Sequence, residues 1–124
     1  MSARTPEDRH EADARGREGE AEAAMFLAQA GWRIVAERVK TKAGEIDLIA
    51  KKTGLVAFVE VKWRARAADL GDAIDERRLA RVAAAVEVVW QEYASEGEDI
   101  RIDVILLSPG RRPVHIENAW LPFG

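Results

Sequence analysis

An α+β fold follows from three features of this 124-residue chain. The segment LVAFV, Leu55 to Val59, is apolar at every position, as in a strand covered on both faces. Leu79, Val82, Ala83, Val86, Val89, Trp90 and Tyr93 recur at intervals of three and four, which specifies an amphipathic helix. Three strand-like stretches precede that helix and another apolar strand follows it. The expected order is α-β-β-β-α-β-β, a mixed central sheet flanked by helices.

Taken in order, residues 1–14 are charged and poor in large apolar side chains, and read as a disordered tail. A single domain is expected over residues 15–124. His10 falls in the tail and receives no role. A first helix is expected from about Arg17 to Ala30, stopped by Gly31. Its apolar stripe includes Ala23, Ala24 and Leu27, and Glu20 lies on that stripe one turn earlier. A carboxylate there needs a cationic partner, or else serves the helix dipole.

Trp32 to Arg38 alternates weakly and reads as a first strand, followed by a basic connection over Val39 to Ala43. Glu45 to Lys51 and Leu55 to Trp63 form a hairpin about a turn at Lys51–Gly54. Pairing Lys51 with Gly54 sets Asp47 opposite Phe58 and Glu45 opposite Glu60. Glu60 then lies diagonal to Asp47 on one face, with Cβ atoms roughly 7 Å apart. Glu60 and Lys62, two apart, project from the same face.

Ala65 to Gly71 reads as a loop. The second helix is capped by Asp72, with Asp75 three residues on in capping-box position. Arg77, Arg78 and Arg81 crowd its first turns, where cations oppose the helix dipole. They read as a solvated face or as a surface for phosphate. Ile100 to Leu107 is the next strand, with Asp103 inside it, and Val114 to Trp120 a short last one. His115 in that strand reads as a packing residue rather than a ligand.

Composition excludes several classes of function. There is no cysteine, so neither disulfides nor thiolate metal sites can form. The N-terminal residues carry no apolar export segment and no run is long enough to span a membrane, so the cytoplasm is the expected location. No phosphate-binding glycine loop or serine elbow occurs. The net charge of −3 conceals an asymmetry: residues 33–66 hold nine Lys/Arg against four Asp/Glu, while the rest hold ten against eighteen. The basic segment is the one that contains Asp47 and Glu60. A positive field around a few inward acids suits a polyanion brought to a metal, although lysines on strands and turns also serve solubility.

Two carboxylates converging on one hard divalent cation, Mg²⁺ or Mn²⁺, suit phosphate-ester chemistry. Lys62 beside them would orient a water or neutralise charge on the phosphate.

An Asp on one strand and Glu-x-Lys at the end of the next resembles the PD-(D/E)xK nuclease superfamily, with Asp47, Glu60 and Lys62 in the motif positions. A longer match, GREGEAEAAMFLAQAGWRIVAERVKTKAGEIDLIA, VAFVEVKWR, RIDVILL and HIENAW, resembles the YraN family of small bacterial proteins over about residues 16–120. The resemblance implies a restriction-endonuclease-like core related to archaeal Holliday-junction resolvases. It implies catalytic roles for Asp47, Glu60 and Lys62, and metal ligation by Glu20, Asp47 and Glu60, with Glu45 a secondary candidate. Three positions depart from the family pattern: Trp63 follows the motif lysine, ERVK precedes the GEIDL block, and Arg78 stands where a lysine is usual.

Arg38, Lys40, Lys42, Arg64, Arg66 and Arg78 are the candidate phosphate contacts, and Trp63 could stack on an exposed base or be buried. The leading expectation is a metal-dependent nuclease acting on branched or single-stranded DNA. The alternatives are a nucleic-acid-binding module without catalysis and a structural protein whose acids form buried ion pairs. A homodimer would suit a two-fold junction.

Overall fold

The computed structural model describes the backbone of residues 6–120 and the side chains of residues 16–120 apart from 72 and 73. Five strands make one sheet: β1 (Arg33–Thr41), β2 (Gly44–Lys52), β3 (Leu55–Trp63), β4 (Asp99–Leu107) and β5 (Val114–Ile116). They lie in chain order across the sheet. β3 and β4 are parallel and every other neighbouring pair is antiparallel. A parallel pair needs a crossover, which is supplied by a 3-10 helix (Ala67–Ala73) and α2 (Glu76–Tyr93). α1 (Pro6–Gln29) precedes the sheet. The mixed sheet flanked by helices is the α+β class expected, and it is consistent with a restriction-endonuclease-like core.

The central strands explain the layering. β3 is buried from Val56 to Glu60, so both of its faces must be covered. One face packs Val56, Phe58, Ile102 and Val104 against Leu79, Val82, Val86 and Val89 of α2. The other packs Ala57, Val59, Ile105 and Leu107 against Ala23 and Leu27 of α1. Each fully buried Val, Leu or Phe contributes about 1.5–3 kcal/mol.

Several boundaries differ from expectation for identifiable reasons. α1 begins at Pro6, not near Arg17, so residues 6–14 are helical where a disordered tail was expected. Charge alone does not prevent a helix when Ala, Glu and Arg dominate the composition. Residues 1–5 and 121–124 lie outside the described residues, with the ends of the expected tails. Gly31 ends α1 as expected, at φ +95°, and the Trp32 N–H returns to the Leu27 carbonyl at 2.9 Å. β1 continues through the expected basic connection to Thr41. The expected loop at 65–71 contains most of the 3-10 helix, which takes in Asp72. The helix cap is therefore Asp75, whose Oδ1 accepts from the Arg77 N–H at 2.9 Å.

The hairpin turn also moves. The observed pairing is Lys52↔Leu55, Ile49↔Phe58 and Leu48↔Val59, two residues away from the expected register. Thr53 and Gly54 form the turn, with Gly54 at φ +77°, a conformation that glycine adopts freely and the β-branched Thr53 resists. One step beyond the last pair, Leu48↔Val59, this register sets Asp47 opposite Glu60, not Phe58. The shift is an even number of residues, so the Asp47 and Glu60 side keeps its parity.

The far end of the sheet is devoted to closing the helices. The ammonium of Lys51 donates to the Tyr93 carbonyl at the C-terminus of α2 and pairs with Glu98 at 2.8 Å. Lys52 lies over the Trp32 ring, 4.8 Å from its centroid, beside the end of α1. Cations near helix C-termini are favourable.

β5 is shorter than the expected strand. Only Val114, His115 and Ile116 pair, because Asn118 turns the chain at φ +52°. The Asn118 N–H is drawn to Asp103, which is fully buried in β4. Arg101 donates two bonds of 2.8 Å to the same carboxylate, and His115 Nε2 is hydrogen-bonded to it at 2.7 Å. Burial alone would push the Asp103 carboxyl up, but the bonds from His115, Arg101 and Asn118 outweigh it and hold the carboxyl below its ordinary value. His115 is a packing residue as expected, with its ring edge-on to Phe26 and Trp32.

Candidate metal and nucleic-acid site

Asp47 sits where two ladders are interrupted. The β2–β3 pairing ends at Leu48↔Val59. The next β3 amide in register, that of Val61, donates instead to Asp47 Oδ2 at 2.7 Å. On the other side, the β1–β2 ladder passes from Glu37↔Leu48 to Val39↔Ile46. Arg38 lies between those pairs, opposite Asp47, at φ +51°. A left-handed conformation costs a non-glycine residue roughly 1–2 kcal/mol. The Arg38 guanidinium reaches Glu20 on α1 at 2.8 Å.

Asp47, Glu60 and Glu45 line one cavity of about 140 Å³ with Gly44, Arg78, Arg81 and Val82. Glu60 is 3% exposed, and Arg78 of α2 reaches its Oε1 at 2.8 Å. Lys62 lies 3.0 Å from the same oxygen. Against burial, Asp47 has the Val61 N–H and the charges of Lys62 and Arg78. Burial first, and then the Glu60 charge, push its carboxyl up to about 7. Glu20 is also raised, chiefly by burial, with Arg38 opposing and Glu45 and Glu37 adding repulsion. Five carboxylates, Glu20, Glu37, Glu45, Asp47 and Glu60, are therefore linked by repulsion at this end of the sheet.

Of the residues singled out in the sequence, Asp47, Glu60, Glu45 and Arg78 line the same cavity, and Lys62 contacts Glu60. Glu20 is held to one side by Arg38. Among the described residues no group of three His, Cys, Asp or Glu is gathered closely enough to hold a metal ion. The donor chemistry nevertheless fits a hard cation at the Asp47 and Glu60 pair, since two repelling carboxylates with oxygen ligands suit one divalent ion completed by water. Of the other expected phosphate contacts, Lys40 and Lys42 are exposed on β1 and its turn. Arg66 pairs with Asp69, and Arg64 donates to the Trp63 carbonyl. Trp63 is half-buried.

Gly44 is not singled out for the site from the sequence, and Arg81 is read there only as part of a solvated face or phosphate surface. A Cβ on Gly44 would stand 3.1 Å from the Arg81 carbonyl oxygen. Glycine thus lets the start of β2 lie against α2 and narrow the cavity. For Gly44 the signal is its place at the head of the GEIDL block.

Residues 19–107 match the model of the "Uncharacterised protein family UPF0102". The chain is similar to a UPF0102 protein of Erythrobacter litoralis, 61% identical over 111 residues, which cover 90% of this chain and 96% of the relative. It is similar to another of Sphingopyxis alaskensis, 53% identical over 111 residues, again 90% and 96%. A third, of Rhizorhabdus wittichii, is 55% identical over 109 residues, 88% of this chain and 92% of the relative.

Proposed function

The chain belongs to the UPF0102 family, and from that footing we propose that it is a metal-dependent nuclease that hydrolyses phosphodiester bonds of branched or single-stranded DNA. The observation that carries this reading is the mutually repelling pair of half-buried Asp47 and buried Glu60 in a cavity that also presents Arg78, with Lys62 on Glu60. Repulsion between two such acids is unfavourable in the protein alone and is relieved by a divalent cation.

Asp47 and Glu60 would hold Mg²⁺ or Mn²⁺, with Glu20 and Glu45 near enough to act through charge. A bound ion of this kind lowers the pKa of its water and stabilises negative charge on phosphorus. Lys62 positions Glu60 and offers its ammonium to the attacking water or the phosphate. Arg78 is more than half exposed beyond its contact with Glu60, so its guanidinium can meet a phosphate. Arg38, Lys40, Lys42, Arg64 and Arg66 supply further phosphate contacts. The cytoplasm is the compartment in which such a protein meets DNA, and a homodimer would match a two-fold junction.

A cleavage assay with Mg²⁺ and Mn²⁺ on duplex, single-stranded and four-way-junction DNA tests the reading. Metal-dependent cutting is expected, reduced by at least 100-fold in Lys62→Ala. One observation favours a second reading, a binding module without catalysis: Glu60 is already neutralised by two cations. Salt-sensitive DNA binding with no cutting above the Lys62→Ala level would establish that reading instead.

A further inference from the structure

A second hollow, of about 670 Å³, opens between the 3-10 helix and the β4–β5 turn. Ala67, Ala68, Leu70 and Val114 give it apolar walls, and Arg111 and Arg112 line it from the turn. Among the described residues its lining holds no acidic side chain. Both arginines are exposed, and Val114 is 47% exposed on the edge strand, so the hollow presents apolar and cationic surface side by side.

Its position relates it to the acids. Lys62 pairs with Leu106, and Leu106 pairs with Val114, so the three stand in one row across the sheet. Residues paired in register project from the same face, and Leu70 packs on the cluster that contains Leu106. The hollow therefore opens on the face that carries Glu60 and Lys62. Two strand spacings make about 10 Å from Lys62 to Val114. That is roughly three rises of a stacked strand at about 3.4 Å each.

We propose that this hollow is a cradle for single-stranded DNA flanking the scissile phosphate, with an unstacked base against Leu70 and Val114 and phosphates on Arg111 and Arg112. The inference rests on the nuclease reading and deepens it by naming the strand's form. An apolar floor offers nothing to the paired, stacked bases of a duplex, whereas an extruded base gains from covering it. The arginines supply the charge match, and the volume suits a base with its sugar.

The test is fluorescence anisotropy of a labelled twelve-nucleotide oligothymidylate and of a blunt duplex, over a salt series with Ca²⁺ in place of the catalytic ion. Wild type is compared with Arg111→Ala/Arg112→Ala and with Val114→Glu, with thermal melts checking that each variant folds. All three positions are exposed, so the melts are expected to coincide. The double variant is expected to bind the oligothymidylate at least tenfold more weakly, with its salt slope reduced by about 1.4, as for two lost phosphate contacts. Val114→Glu is expected to weaken the single strand alone and to leave duplex affinity within twofold. Equal losses on both DNA forms, or no loss on the single strand, would overturn the cradle while leaving the nuclease reading intact. A wild-type protein that binds neither DNA would overturn both.

Discussion

The carboxyl of Asp47 is pushed up to about 7 by burial and by Glu60, against an ordinary value of 3.8. The folded state thus holds a proton that the unfolded state releases, and stability falls as pH rises from about 4 through about 7. Asp47→Asn should therefore raise the melting temperature at pH 8. The gain should shrink as pH falls below 7 and vanish near pH 4. The amide can still accept from the Val61 N–H, so the substitution isolates the charge. Mn²⁺ should stabilise the wild type at pH 8, by about 2.7 kcal/mol at one hundred times its Kd, and should leave Asp47→Asn unmoved. Melts at three pH values with and without Mn²⁺ check both outcomes. An equal Mn²⁺ response in the two proteins would remove Asp47 from the proposed metal site.

At the scale of elements, β4 and β5 are joined by few backbone bonds and by one buried carboxylate. Asp103 gathers Arg101, His115 and the Asn118 amide on one carboxylate. Asp103→Asn would leave Arg101 and His115 facing an amide in place of a fully buried carboxylate, with only the 3.7 Å contact to Glu117 left, among the described residues, as an ion pair for Arg101, at a cost of about 1.5–3 kcal/mol. The expected result is a large drop in melting temperature together with faster amide exchange over residues 114–118. Exchange that accelerates uniformly across the sheet would instead place Asp103 in the global core. The wild-type carboxyl is depressed, so its contribution is present at neutral pH and is lost as pH falls through the folded-state value, below 3.8.

The elements themselves were legible because their signals are local. β3 matches its expected bounds, and the spacing of Leu79 to Val89 gives the face that α2 buries. Hairpin register was harder to read: Lys-Lys-Thr-Gly admits several turns, and only the left-handed Gly54 decides among them. An error of two residues preserves the face, so Asp47 and Glu60 still line one cavity. The interruption at Arg38 and the closeness of Gly44 to Arg81 depend on three strands and a helix meeting, and no local pattern encodes them. The same holds for the hollow at Arg111, whose walls come from segments some forty residues apart in sequence.

Across the whole molecule the two ends of the sheet do different work. Lys51 and Lys52 close the helices at one end, while the acids lie at the other. The acids also assemble at different times. Asp47, Glu60 and Lys62 belong to one tight hairpin, a unit that forms in about 1–10 μs. Arg78 belongs to the crossover that must be in place before β3 and β4 can pair, a slower, non-local event. Arg78→Ala should accordingly speed unfolding and leave the refolding rate nearly unchanged, as stopped-flow chevrons would show. A chain emerging from the ribosome would complete its hairpin acids first and remain an open, over-charged ribbon until the crossover swings in. Only then would the cavity have a wall and Glu60 its second counter-charge, so that maturation of the fold and competence of the site become a single event.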